Sequence, residues 1–292
     1  MHRISTMKSI AVLLTVFNRK EQTLLCLSNL FAQTIPNGYD LDVYLTNDGC
    51  TDGTPEAVAT QFPQVIIING DGNLFWNRGM YVAWERAAKE KDYDYYLWLN
   101  DDTFAYNFML VSLLNAAIET NSKAIIVGVT QSTDKTHSTY GGRLPNGQLP
   151  KPCGKLQQIR YFNGNIVLVP KSVYMTLGNL DYYFTHSKGD FDYGMRANKA
   201  GIKMYQVGEY LGECDLHPTL DKWCDPTIPF AQRWKMLHRP NGMPPKEIYH
   251  LNLRHRGFAS AIVHYFTVYL RCVFPQLWNK RNKKYLNRNN NR

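Results

Sequence analysis

Three acidic clusters fall where a strand-like run ends or a helix-like run begins: Asn47-Asp48-Gly49, Asn100-Asp101-Asp102 and Gly189-Asp190-Phe191-Asp192. Two adjacent carboxylates on a turn suit a hard divalent cation, which takes oxygen ligands and often bridges to substrate phosphates. Asp101 and Asp102 have that chemistry. Asp48 can accept hydrogen bonds from a base or a ribose. Asp190, at the start of a helix-like stretch, can act as a general base if a hydroxyl comes within hydrogen-bond reach. Each cluster also has an ordinary reading. Asn, Asp and Gly are turn formers, and an acid in the first turn of a helix complements its dipole. Taken singly, the ordinary readings prevail; the order of the clusters along the chain changes that.

The segments between the clusters are those that would position them. Residues 10–16 are a continuous apolar run, as a strand buried on both faces requires. Asn18 is placed to cap a helix in which Leu24, Leu27 and Phe31 recur at helical spacing. A second strand over 41–46 runs into the turn-rich 47–54, and Thr54-Pro55 reads as the N-cap and first residue of the next helix. A short strand over 65–68, a helix over 77–89 and a strand over 95–99 follow. Residues 131–158 are rich in Gly, Pro, Ser and Thr, which predicts loops and a hairpin. Strand character returns over 160–169, and 189–200 predicts a helix stopped by Gly201. Beyond Pro226 the pattern is helical and basic. Strands and helices in alternation predict an α/β fold, a mostly parallel central sheet flanked by helices.

With 292 residues, 44% hydrophobic and 20% charged, the chain has globular composition. Its six cysteines form no CxxC pair, which argues against a disulfide framework or zinc finger and for a reducing cytosol. The run 10–17 is too short for a signal peptide or a membrane span, and either Met1 or Met7 can be the start. The net charge of +9 is not spread evenly. After Glu247 there is no acidic residue, whereas nine Lys and Arg follow it. That polarity predicts an anionic surface met by the C-terminus, with lipid and nucleic acid as the two candidates. Residues 257–278 are apolar but interrupted by His264, Arg271 and Pro275, which fits an interfacial segment better than a spanning one. A helix packed on the catalytic domain with a solvated basic tail explains the same residues.

In chain order, Ile10-Ala-Val-Leu-Leu-Thr-Val-Phe-Asn-Arg19, Thr46-Asn-Asp-Gly-Cys-Thr-Asp-Gly-Thr54, Gly72-Asn-Leu-Phe-Trp-Asn-Arg-Gly-Met80, Asn100-Asp101-Asp102 and Gly189-Asp-Phe-Asp-Tyr-Gly-Met-Arg196 resemble the family 2 glycosyltransferases, closest to a rhamnosyltransferase-like bacterial branch. The resemblance spans roughly residues 9 to 218 and implies the GT-A fold. It further implies a GT-A catalytic domain over 1–225, with a nucleotide-sugar half over about 9–130 and an acceptor half over about 131–225, then a helical, basic extension over 226–292.

By position, the resemblance implies that Thr15, Phe17 and Asp48 hold the nucleobase and ribose, that Arg78 approaches the diphosphate, and that Asn18 and Asn77 also bind the nucleotide sugar. It gives Asp101 to ribose or metal, Asp102 to the metal as its main ligand, and His217 to a third metal or phosphate contact. Asp190 becomes the catalytic base, with Asp192 as its fallback. The cofactor would be Mg²⁺ or Mn²⁺, and the reaction an inverting transfer from a nucleoside-diphosphate sugar to a hydroxyl of a glycan or lipid-linked saccharide. Bacterial surface polysaccharide synthesis is the setting implied, in the cytoplasm or peripherally on the inner face of the membrane, with 257–292 meeting anionic lipid and no nucleic acid expected. Two positions depart from the pattern: Asn100 replaces the first acid of the Asp-Xaa-Asp motif, and Gly189 replaces a Glu before the base. A non-catalytic nucleotide-sugar-binding protein of the same fold and a sugar nucleotidyltransferase are the competing readings.

Overall fold

The computed structural model describes residues 7–216 and 221–278. It divides into two compact units: unit 1 comprises Met1–Tyr182 and Gly189–Leu216, and unit 2 comprises Tyr183–Lys188 and His217–Arg292.

Unit 1 begins with β1 (Lys8–Val16), α1 (Lys20–Phe31), β2 (Tyr39–Asn47), α2 (Thr54–Gln61), β3 (Val65–Asn69), α3 (Phe75–Glu90) and β4 (Tyr95–Leu99). After β5 (Phe104–Ala105) come α4 (Met109–Glu119), β6 (Ile125–Gln131), β7 (Gly142–Arg143), β8 (Gln157–Gln158), β9 (Tyr161–Phe162) and β10 (Ile166–Pro170). It ends with α5 (Lys171–Leu177), α6 (Gly189–Lys199) and β11 (Met204–Glu213). The main sheet has the order β3-β2-β1-β4-β10-β6-β11-β5, with β8 on β11 and a separate β7-β9 pair.

β3, β2, β1 and β4 are mutually parallel. β10 runs antiparallel to both β4 and β6, and β11 runs parallel to β6. The carboxyl ends of β1, β2, β3, β4, β6 and β11 therefore share one edge with the amino end of β10. Side chains of β1 alternate between the two faces, as the period of two demands. Ile10, Val12 and Leu14 join one buried cluster with Leu97, Leu99 and α4, while Ala11 and Leu13 join another with Trp98, Trp84 of α3 and Tyr193 of α6. Every residue of β4 is buried. Each such large side chain contributes about 1.5–3 kcal/mol, which anchors the turn after β4 rigidly.

The expected elements are present, with local differences. Asn18 does not cap α1; it sits at φ 50° and its Oδ1 accepts from the Thr51 N–H at 2.7 Å. Arg19 stands at the cap position instead, without a capping side-chain bond. Thr54 is inside α2, and Gly53 at φ 79° precedes it as the cap. The strand character over 160–169 is divided between β9, which pairs with β7, and β10, which pairs with β4.

Unit 2 contains α7 (Phe230–Leu237), α8 (Pro245–Arg256) and α9 (Phe258–Val273). Trp223, Cys224, Leu237, Ile248, Val268 and Cys272 form its own small core. The Tyr183 ring stacks on His250 of α8 at 4.0 Å between centroids.

Candidate active site

The shared sheet edge gathers the acidic turns. Asp48 follows β2, and its carboxylate is consumed by backbone: Oδ1 accepts from Gly72 (3.0 Å) and Leu74 (3.1 Å), Oδ2 from Phe75 (2.7 Å). Those three bonds hold Phe75 at φ 56°, an uncommon conformation for an aromatic residue, and aim the start of α3 at the edge. Asp48 is buried, so in the structure it organises the loop.

Asp101 and Asp102 follow β4. A single guanidinium nitrogen of Arg19 lies 2.7 Å from Asp102 Oδ2 and 3.4 Å from Asp101 Oδ1. Asp101 Oδ2 is buried without a hydrogen-bond partner. Burial, then the like charge of Asp102, pushes the Asp101 pKa up to about 7, against the opposing pull of Arg19. Cys214, just past β11, approaches the other carboxylate oxygen, its Sγ 3.7 Å from Asp102 Oδ1. Burial first and Asp102 second push that thiol up to about 12, so at neutral pH it is an S–H donor.

Asn100, the residue that departs from the Asp-Xaa-Asp pattern, plays a neutral part, its Oδ1 accepting the Trp76 indole N–H at 2.7 Å. Trp76 lies over Gly164, where an added Cβ would sit 2.6 Å from the indole ring and 3.4 Å from the Asp190 Cβ. The Gly164 N–H donates to Asp190 Oδ2 at 3.2 Å, and the Phe191 N–H to Oδ1 at 2.8 Å. The acidic turn and Asp190 are thus joined through one indole. Lys188, at φ 76°, turns the chain into α6 just ahead of Asp190.

Asp192 is fully buried and ion-paired with Arg196 at 2.9 Å, and Arg196 also donates to the Leu177 and Asn179 carbonyls. The Asp192 carboxylate thus orients Arg196, whose bonds to those carbonyls tie α6 to the end of α5 and the segment after it. Asn77 is fully buried and donates to the Asp181 carbonyl at 2.8 Å. Arg78 donates to the Tyr182 carbonyl and lies over its ring at 4.8 Å. Thr15 packs against Gly79, and Phe17 is exposed. His217 lies outside the described residues. Arg19, Gly164 and Cys214 line the candidate site but carried no local signal; each acts through partners distant in sequence.

Gly189 replaces the expected Glu for a steric reason. A Cβ there would fall 1.6 Å from Asn77 Oδ1 and 2.5 Å from its Cγ. Since Asn77 is buried, Gly189→Ala is expected to force α3 and α6 apart, destabilising the fold by about 1–3 kcal/mol and shifting Asp190. Urea denaturation reads the first effect; an unchanged midpoint would show that Asn77 yields freely.

Could these residues hold a metal? The hard oxygen set of Asp101 and Asp102 fits Mg²⁺ or Mn²⁺, and the partnerless Asp101 Oδ2 is the atom such an ion would satisfy. Among the described residues no group of three or more His, Cys, Asp and Glu is arranged to bind one. Among the described residues Asp101 and Asp102 are the two carboxylates that would hold such an ion.

The model of glycosyl transferase family 2 matches residues 11–178. No curated protein matches the chain. Among solved structures, the 1–349 fragment of S. aureus TarS is 12% identical, with a TM-score of 0.54 over 89% of this chain and 72% of that one. The same fragment in complex with UDP-GlcNAc scores 0.55 at 11% identity, covering 91% and 72%. The mannosyltransferase PcManGT from Pyrobaculum calidifontis, in complex with GDP-Man and Mn²⁺, scores 0.53 at 16% identity, covering 89% and 73%. A family match across more than half the chain, on a mostly parallel sheet with acidic turns at its carboxyl edge, makes this protein a glycosyltransferase of family 2 with the GT-A fold.

Proposed function

We propose that the protein moves a sugar from a nucleoside-diphosphate sugar to a hydroxyl of a glycan or lipid-linked saccharide, with inversion, in bacterial surface polysaccharide synthesis. The observation that carries this reading is the connection of Asp190 to the Asp101-Asp102 turn through Trp76 and Asn100. Asp190 is partly exposed and accepts the acceptor's proton as its oxygen attacks the anomeric carbon. Attack and departure on opposite faces invert that carbon in one step. Trp76, an aromatic surface fixed at its N–H end, orients the sugar between the two acidic groups. Asp101 and Asp102 would hold Mg²⁺ or Mn²⁺, which when bound supplies positive charge against the charge developing on the diphosphate. Arg78, at the first turn of α3, reaches the diphosphate once it leaves Tyr182. Support for a nucleotide-sugar donor and a divalent ion comes from neighbours seen with UDP-GlcNAc and with GDP-Man and Mn²⁺. Catalysis on the cytoplasmic face, with 257–292 touching anionic lipid, goes with a lipid-linked acceptor.

A second reading is favoured by Arg19. Its guanidinium already neutralises Asp102, so the site could bind a donor without metal. Calorimetry with UDP-, GDP- and dTDP-sugars, with and without Mn²⁺, separates the two. One nucleotide sugar is expected to bind only with Mn²⁺, and Asp102→Ala to weaken it at least about tenfold. Binding that ignores both Mn²⁺ and Asp102→Ala would transfer the neutralising role to Arg19.

A further inference from the structure

Charge is divided sharply between the two units. Unit 2 contains fifteen of the chain's 33 Lys and Arg but only Asp221, Asp225 and Glu247 of its 24 acids. It therefore carries +12, and unit 1 carries −3.

The last helix of unit 2 is apolar on two sides. Val268 and Cys272 are buried in the unit's core, and Ala261 is buried as well. Val263, Phe266, Leu270 and Val273 recur at spacings of three and four on another face and are exposed, Phe266 by 57%. Leu277, one turn further, is 74% exposed. A helix that only packed on its own unit would carry polar residues on that second face. Here the row is Val, Phe, Leu, Val, and the basic run 280–292 follows it directly in sequence.

From these features we infer that the exposed face of α9 is a docking surface for a bilayer rich in anionic phospholipid. Among the described residues no helix is long and apolar enough to cross a membrane. At 16 residues α9 spans about 24 Å, short of the roughly 30 Å hydrocarbon core. It lies in the interface, with the stripe sunk among the upper acyl chains and the basic residues among the headgroups. Charge decides the occupant. A second copy would bring another +12 against the first, whereas anionic lipid complements it. A nucleic acid would meet the charges but has no use for four aligned aliphatic and aromatic side chains.

The inference names the surface behind the lipid-linked acceptor in the proposed function and rests on that reading only for its purpose. Vesicle binding needs neither donor nor acceptor, so its failure and a failure of transfer are separate results. The full chain is sedimented with vesicles of phosphatidylcholine, alone or mixed with phosphatidylglycerol. Binding is expected only to the mixed vesicles and to weaken as salt rises. Phe266→Asp with Leu270→Asp is expected to weaken it at least about tenfold. Both positions are exposed, and an unchanged melting temperature confirms that the variant folds. Binding indifferent to the double substitution would assign the effect to the basic run alone and overturn the α9 surface. So would a dimer in solution that the same substitutions split, or binding to duplex DNA in preference to vesicles.

Discussion

Asp190→Asn is expected to lower kcat for glycosyl transfer at least about thousandfold while leaving donor affinity within about threefold. The substitution keeps size and shape. An amide oxygen can still accept from the Gly164 N–H, so the start of α6 stays beside Trp76. What disappears is a group that can take the acceptor's proton. Asp192 cannot deputise: it is fully buried, and Arg196 holds it at 2.9 Å. Single-turnover transfer and calorimetric donor binding, measured on the same preparation, decide the matter. A loss of donor affinity as large as the loss of turnover would falsify the role of base and make Asp190 a binding residue.

The frame of the site was legible in the sequence wherever the signal was local. Residues 95–99 are five apolar side chains followed at once by Asn-Asp-Asp, and β4 delivers that turn to the sheet edge as expected. The same holds for β1 and for α6, whose stop at Gly201 is a positive-φ glycine. Where sequence reasoning fell short, a distant partner outcompeted a local one. Asn18 is an apt cap for the following helix, yet its side chain is taken by Thr51, 33 residues away. The strand character over 160–169 does not show that its two parts, β9 and β10, pair with different strands.

Site chemistry divides along the same line. Acidic residues at strand ends announce themselves by type, so Asp48, Asp101, Asp102 and Asp190 could all be named. Their roles could not be separated by type. Asp48 spends both oxygens on a loop backbone, whereas Asp101 keeps one buried oxygen without a partner. Arg19 lies 82 and 83 residues from the carboxylates it joins, and no spacing rule reaches that far. The two departures from the family pattern become intelligible only in three dimensions. Asn100 is the acceptor for Trp76, and Gly189 makes room for Asn77.

The buried oxygen of Asp101 leads to the second large effect. Asp101→Asn is expected to make the metal-free protein more stable above about pH 7 and to leave it unchanged below about pH 4. Burial, then Asp102, raises the Asp101 pKa from 3.8 to about 7 in the fold. Between those values the folded protein keeps a proton that the unfolded chain has released. A group raised on folding stabilises fully below its unfolded pKa, and that contribution is lost as pH rises through the folded one. About three pH units at about 1.4 kcal/mol each give about 4 kcal/mol, an upper figure. Asn has no proton to release, so position 101 then adds no pH dependence of its own within the window. Urea midpoints of both proteins across that window should diverge as pH rises, and parallel curves would mean that Asp101 is ionised throughout. A divalent ion needs the same carboxylate unprotonated. Mn²⁺ should therefore bind more weakly below about pH 7, displace a proton there, and narrow the gap between wild type and variant above it.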